Sequence, residues 1–352
     1  MATERLTVKS LKAGDFVRRQ TFLVTDVKEL TTKNGKPYIS FIVGDKTGSI
    51  NGVCWDTFPI VSSWVGDPRE IVQSGLKDLA GDITEYNGKL QLKATYIGPA
   101  TTTEMHHFEK CSEYDAEAMW PHFEEYVQSF KNGSIRTLAH RLVTTYAEEF
   151  KSKPAATGMH HAFKHGLLEH TLQMLDTANA LFKLPFYSKD LNKDYCMFGI
   201  MFHDFGKIFE YGDGPDFKKT VSGILVPHIP RMAAIIEKEA TALDMDEEMM
   251  LYLQSIVLSH HRFMDWGSPV KPASPEALFV HYIDNLHGDV FGALQKLESD
   301  TSSEPVVKYG FGEQSYTLVK KRFSEVVGEE KKDDKVRSAD NSAGEETDLV
   351  GF

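Results

Sequence analysis

From Phe16 to about Pro99, apolar and polar residues alternate in short runs, the period of half-buried β-strands. The alternation is clearest in Pro37-Tyr38-Ile39-Ser40-Phe41-Ile42-Val43 and in Lys89-Leu90-Gln91-Leu92-Lys93-Ala94. Turn-forming residues separate the runs at Lys33-Asn34-Gly35-Lys36, Asp45-Lys46-Thr47-Gly48 and Asn87-Gly88. About five short strands within a hundred residues predict a small barrel. Beyond Thr101 the period changes: Met119, Trp120, Phe123, Tyr126, Val127 and Phe130 recur at helical spacing up to Phe150. From Ala155 to about Phe323 the spacing stays mostly helical, with Leu167, Leu168, Leu172, Leu175 and Leu181 opening the series. After Phe323 apolar residues become scarce, and such a segment cannot bury enough surface to order itself.

The pattern therefore predicts a multidomain β plus α protein. A barrel domain over 1–104 precedes a helical connector over 105–150, an all-α domain over 151–323 and an acidic disordered tail over 324–352. A length of 352 residues suits two domains with connecting segments. No apolar run approaches the ~18 residues of a membrane span, and the first residues, MATERLTVKS, lack the apolar stretch of a secretory signal. These features predict a cytoplasmic protein with no membrane partner. Cys54, Cys111 and Cys196 are far apart and form no CxxC pair, so they read as buried free thiols rather than a disulfide framework or zinc ribbon.

A net charge of −12 argues at first against a nucleic-acid ligand. The charge is uneven, however. Residues 325–352 hold nine acids against four bases, whereas the first hundred hold thirteen bases against eleven acids. A single-stranded nucleic acid therefore stays open as a partner.

The candidate chemistry lies in the helical half. In "FGIMFHDFGKIFE", His203 and Asp204 are adjacent within an apolar segment expected to be helical, with Lys207 one turn beyond His203. Burying such a pair is costly unless something compensates it. A metal ion does so; a hydrogen-bonded pair facing solvent is the alternative, and this segment alone does not choose. His170 in "GLLEHTLQML", His228 in "ILVPHIP", His260 and His261 in "IVLSHHRF", and Asp284 in "FVHYIDNLHGD" complete an ordered series of H, HD, H, HH and D.

That order resembles the HD superfamily of metal-dependent phosphohydrolases. The resemblance implies that His170, His203, Asp204 and Asp284 hold a first ion, and that Asp204 bridges to a second held by His228, His260 and His261. Mixed imidazole and carboxylate ligands suit a divalent transition metal, with manganese favoured and cobalt, iron, nickel or zinc as alternatives, one or two ions in all. Asp204 and Lys207 are the expected catalytic residues, Lys207 stabilising phosphate or the leaving oxygen. His161, in "MHHAFKHG", is a candidate substrate contact or helix cap. His281 and His287 flank Asp284 and read as structural, with a hydrogen bond to a ligand as the alternative.

"TTKNGKPYISFIVGDKTGSINGVCWD" is similar to the first strands of nucleic-acid-binding OB-folds. Together with "HHAFKHGLLEHTLQM", "FHDFGKI", "LSHH" and "GSPVKPASPEALFVHYIDNL", it makes residues 10–322 resemble the YhaM-type 3′-to-5′ exoribonucleases. His165, His287-Gly288 and the acidic tail depart from that pattern. The resemblance implies an OB-fold-like barrel before an all-α HD domain, and hydrolysis of single-stranded RNA, or DNA, to mononucleotides. On the barrel, Tyr38 and Trp55 are the expected base-stacking platforms, and Arg18 and Lys36 are among the expected phosphate contacts. Alternative readings are an HD phosphodiesterase or nucleotidase acting on small nucleotides, an HD oxygenase, and an interaction protein whose tail, ending Asp348-Leu349-Val350-Gly351-Phe352, docks on a protein partner. Homo-oligomerisation is compatible with each.

Overall fold

The computed structural model of the chain describes residues 5–55, 74–158, 161–214, 217–300, 304–310 and 315–320. Five strands, β1 (Phe16–Thr31), β2 (Pro37–Asp45), β3 (Gly48–Trp55), β4 (Gly75–Tyr86) and β5 (Lys89–Pro99), close into a barrel in the order β1-β2-β3-β5-β4. One strand is not short. β1 runs for 16 residues and pairs with both β4 and β2, its register shifting between Val17 and Gln20 and again between Thr25 and Lys28. Each irregularity bends the strand, so one element wraps from one side of the barrel to the other. β3 and β5 pair in parallel and complete the closure.

Alternate residues point inward, among them Val17, Phe22, Phe41, Leu79, Leu92 and Ile97, all buried in one core. The aromatics Phe22 and Phe41 are therefore core residues. The 3-10 turn Met105–His107 leads out of the barrel, where the Lys46 N–H donates to the His107 carbonyl at 3.0 Å.

The helical half is built from α1 (Ala116–Ser129), α2 (Gly133–Thr145), α3 (Ala147–Ser152), α4 (Gly166–Leu181), α5 (Pro185–Asp190) and α6 (Lys193–Phe202). It continues with α7 (Lys207–Glu210), α8 (Val221–Leu225), α9 (His228–Ala242), α10 (Glu247–Ser259) and α11 (Pro275–Ser299). Helix starts are set by side-chain caps: Asp115, Asn132, Asn192, Thr220, Asp246 and Ser274 each accept a backbone N–H of the following turn. α11 also carries Pro275 in its first turn, where the missing N–H costs nothing.

Three expectations are corrected. Residues 105–150 are not a separate connector, because Phe123, Val127, Phe130, Leu138 and Phe150 enter the same core as Leu167, Leu172, Phe198 and Phe205. Their apolar faces need a partner, and the following helices supply it; Phe150 stacks on Phe205 with centroids 4.7 Å apart. Nor is the chain helical up to Phe323. Residues from Glu304 form a unit of their own, in which β6 (Val306–Tyr309) pairs antiparallel with β7 (Tyr316–Val319). Finally, Cys54 and Cys196 are buried but Cys111 is exposed. The expected disordered tail lies outside the described residues. Among the described residues, no helix is long and apolar enough to cross a membrane.

Candidate metal centre

The ligand candidates stand mostly at helix ends. His203 is the C-cap residue of α6, followed by the turn Asp204-Phe205-Gly206 and the single-turn helix α7. The pair is thus not inside a helix, as the apolar pattern suggests, but just where one ends. His228 opens α9, His260 caps the C-terminus of α10, His170 lies in the first half of α4 and Asp284 in the middle of α11. The turn after α6 is tight against α9: a Cβ on Gly206 would lie 2.3 Å from the His228 carbonyl oxygen.

These elements bring together all seven expected ligands. One group contains His170, His203 and Asp204, and another contains Asp204, His228, His260 and His261, the ligand atoms of each lying within 4.8 Å of one another. Asp204 belongs to both. Its Oδ2 lies 3.3 Å from His203 Nε2, while its Oδ1 faces His228 Nε2 at 3.4 Å and His260 Nε2 at 3.7 Å. Asp284 Oδ1 lies 3.3 Å from His170 Nε2 and 3.7 Å from His203 Nε2. Most of these separations exceed the length of a good hydrogen bond, so the groups surround a common space instead of closing on one another.

The rings are oriented by their far nitrogens. His203 Nδ1 lies 2.7 Å from the Ile200 carbonyl, His260 Nδ1 2.7 Å from the Val257 carbonyl, and His261 Nδ1 2.6 Å from the Trp266 carbonyl. A carbonyl only accepts, so each Nδ1 carries the proton. Each Nε2 is then the nitrogen turned towards the aspartates, the one a metal ion would take. His228 Nδ1 lies 2.6 Å from Glu210 Oε2, with the same result. Among the described residues, Nε2 of His203, His228 and His260 and Oδ1 of Asp204 are buried without a hydrogen-bond partner. Several such orphans in one place are costly unless a ligand satisfies them. This donor set fits divalent metal ions.

Electrostatics agree. Burial pushes the Asp204 carboxyl up, but the Lys207 ammonium and His203 beside it outweigh this and hold it well below the usual carboxylate range. Asp284 is likewise held low against its burial by the neighbouring imidazoles of His170 and His203. Burial would lower the His203 imidazole, but Asp204 and Asp284 raise it to about 10, whereas burial and the neighbouring His261 and His203 push His260 well below its ordinary value. Two ionised aspartates thus share a space with imidazoles that cannot all be protonated, a site that draws in positive charge.

Lys207 Nζ donates to Asp204 Oδ2 and to the Ala155 carbonyl, both at 2.6 Å. Its bond is to Asp204, three residues before it, rather than to the expected His203 face. His161 is fully buried, its ring stacked on Phe291 at 3.9 Å and 5.2 Å from His170. Its left-handed backbone, at φ 50, lies in the tight turn before α4. His165 sits at the N-terminus of α4, bonded to the Lys151 carbonyl. His281 Nδ1 bonds the His260 carbonyl and His287 Nε2 bonds Thr177. Glu210 was not legible as part of the site: a glutamate after an apolar run looks like any solvated helix residue, yet this one is 2% exposed.

On the barrel, Tyr38 and Trp55 are cross-strand partners on the outer face, stacked with centroids 4.9 Å apart. Lys36 is exposed in the turn just before Tyr38. Arg18 is also exposed but is not brought to them: it lies near the β4 pairing at one end of β1, whereas Tyr38 pairs with Leu30 near the other.

The comparisons with known proteins agree with this site. The family pattern of the HD domain matches residues 167–289, the stretch that contains all seven ligands, so the helical half is an HD domain on a barrel-first chain. The protein named 3′-5′ exoribonuclease YhaM from Geobacillus sp. (strain WCH70) is 35% identical over 315 residues, 88% of this chain and 93% of that protein. At that identity and coverage, the chain belongs to the YhaM family. A solved structure, the second OB-fold domain of replication protein A from Methanococcus maripaludis, matches 28% of this chain and 96% of its own length at 17% identity and a TM-score of 0.20. A likeness that slight adds nothing to the barrel's own strand order.

Proposed function

We propose that this protein is a metal-dependent 3′-to-5′ exoribonuclease that removes mononucleotides from single-stranded RNA. The observation that carries the proposal is the set of imidazole Nε2 atoms and aspartate oxygens converging on one buried space, within a chain similar over nearly its whole length to a 3′-5′ exoribonuclease. His170, His203, Asp204 and Asp284 would hold one divalent ion and Asp204, His228, His260 and His261 a second, with manganese our choice of metal. Such ions supply Lewis acidity, easing deprotonation of water near neutral pH and offsetting charge on phosphoryl oxygens.

The chain's own groups do the rest. Asp204 offers one oxygen to each ligand group and so fixes their spacing. Lys207 holds that carboxylate in place and, with two of its N–H groups used on Asp204 and Ala155, directs the third to a phosphoryl oxygen. The outer face of the barrel, with Tyr38 stacked on Trp55 and Lys36 beside them, receives bases and backbone of the single strand. A cytoplasmic location belongs to the same proposal.

The test uses single-stranded RNA labelled at either end, with manganese, comparing wild type and Asp204→Ala. Stepwise shortening from the 3′ end in wild type alone is the expected result. Intact RNA with the wild-type protein refutes the proposal.

A further inference from the structure

Glu210 closes the single-turn helix α7, and its carboxylate is shared among three donors. His228 gives both its backbone N–H, at 2.8 Å, and its Nδ1–H, at 2.6 Å, to Oε2, and the Lys219 ammonium pairs with Oε1. This separates His228 from His203, His260 and His261. His203, His260 and His261 lean on neutral backbone carbonyls, whereas His228 leans on a carboxylate. A charged acceptor makes the stronger bond and raises the electron density at the opposite nitrogen.

Glu210 is itself fixed from several directions. The Thr220 N–H donates to its carbonyl at 2.9 Å. Tyr211 pairs antiparallel with Lys219, so the chain folds back over Glu210 before it delivers His228. Gly223 packs so close that a Cβ there would lie 2.5 Å from the Glu210 Cα. The fold-back thus fixes the backbone of Glu210, while its buried carboxylate holds Lys219 on one oxygen and His228 on the other.

We infer that Glu210 is a positioning residue that fixes the ring of His228 and thereby sets the affinity of the ion shared by Asp204, His228, His260 and His261, with no comparable hold on the ion at His170, His203 and Asp284. The inference rests on reading the cluster as a centre for two ions; it does not depend on the substrate.

The experiment is a calorimetric titration of the full-length, chelator-stripped protein with manganese. Wild type should take two ions. Glu210→Gln, which keeps the shape and removes the charge, should weaken one of the two by ~10- to 100-fold and leave the other within about twofold. Lys219→Met removes the partner on the other oxygen and should change either ion by less than about threefold, which separates the bond to His228 from a general loosening of the fold-back. Circular dichroism and unfolding temperature accompany each titration. Unchanged binding in Glu210→Gln, equal weakening of both ions, an effect of Lys219→Met as large as that of Glu210→Gln, or a wild type that takes only one ion would each overturn the inference. A wild type that takes two ions and leaves RNA intact overturns the nuclease proposal instead, and the Glu210 result then stands by itself.

Discussion

Replacing Gly206 by alanine adds one methyl group at the junction that carries Asp204 on one side and His228 on the other. The backbone of Gly206 is right-handed helical, φ −60 and ψ −13, so alanine adopts it without backbone strain. Any loss must come from contact. The new Cβ would lie 2.3 Å from the His228 carbonyl oxygen and 3.0 Å from its Cα and carbonyl carbon, where ordinary contact begins at 3.4 Å. All three atoms belong to the backbone, so no rotamer change relieves the clash, and the two segments must separate by about 1 Å. Metal-ligand distances tolerate roughly 0.2 Å, and a misplacement of about 1 Å costs on the order of 100-fold in rate. Overpacking also destabilises by about 1–3 kcal/mol, which most domains survive. Manganese-dependent shortening of a 5′-labelled single-stranded RNA should therefore fall about 100-fold in Gly206→Ala while circular dichroism shows a folded protein. Activity within threefold of wild type would refute the argument that this close approach sets the geometry of the site.

Two further outcomes are expected. In an Asp204→Ala background, which prevents degradation, Tyr38→Ala and Trp55→Ala should each weaken binding of a labelled single-stranded RNA by about 1–3 kcal/mol in fluorescence anisotropy; a double variant that binds like its parent would remove the platform. Burial pushes the Glu210 carboxyl up, but the bonds from His228 and Lys219 bring it from 4.5 down to about 2. Because the folded value is the lower one, the group stabilises the fold fully above its unfolded value, by at most about 3 kcal/mol, and that contribution fades as the pH falls from 4.5 towards 2. Urea unfolding with chelator present should show a gap between wild type and Glu210→Gln at pH 7 that narrows at pH 3; a gap of constant size would show that the charge is not responsible.

The barrel was legible because its strands alternate and its turns carry Asn-Gly and Thr-Gly, both local features. The length of β1 was not, since the irregularities at Arg18-Arg19 and Asp26-Val27 interrupt the very alternation that marks a strand. Helical period in Phe123, Val127 and Phe130 was equally plain, but period says only that a face must be covered and not by what; here the helices of the HD domain cover it. His203-Asp204 looked helical because the residues around it are apolar. The helix in fact stops at Phe202, and the pair occupies the turn that lets Gly206 meet α9. The hairpin of β6 and β7 was missed because strands of four residues are too short for period to distinguish from the end of a helix.

The ligands could be read in order because metal chemistry demands particular side chains, and side chains are what a sequence displays. What orients those ligands divides into two kinds. Behind His203, His260 and His261 stand the carbonyls of Ile200, Val257 and Trp266, groups that any residue provides, so their side chains can change without disturbing that bond. Behind His228 stands a side chain, Glu210, eighteen residues earlier in the chain, and only a carboxylate there can accept both His228 donors while pairing with Lys219. The same physical task is therefore invisible in the sequence at three positions and concentrated in one residue at the fourth. The half of the centre that contains His228 should accordingly be the half that a single distant substitution can disable.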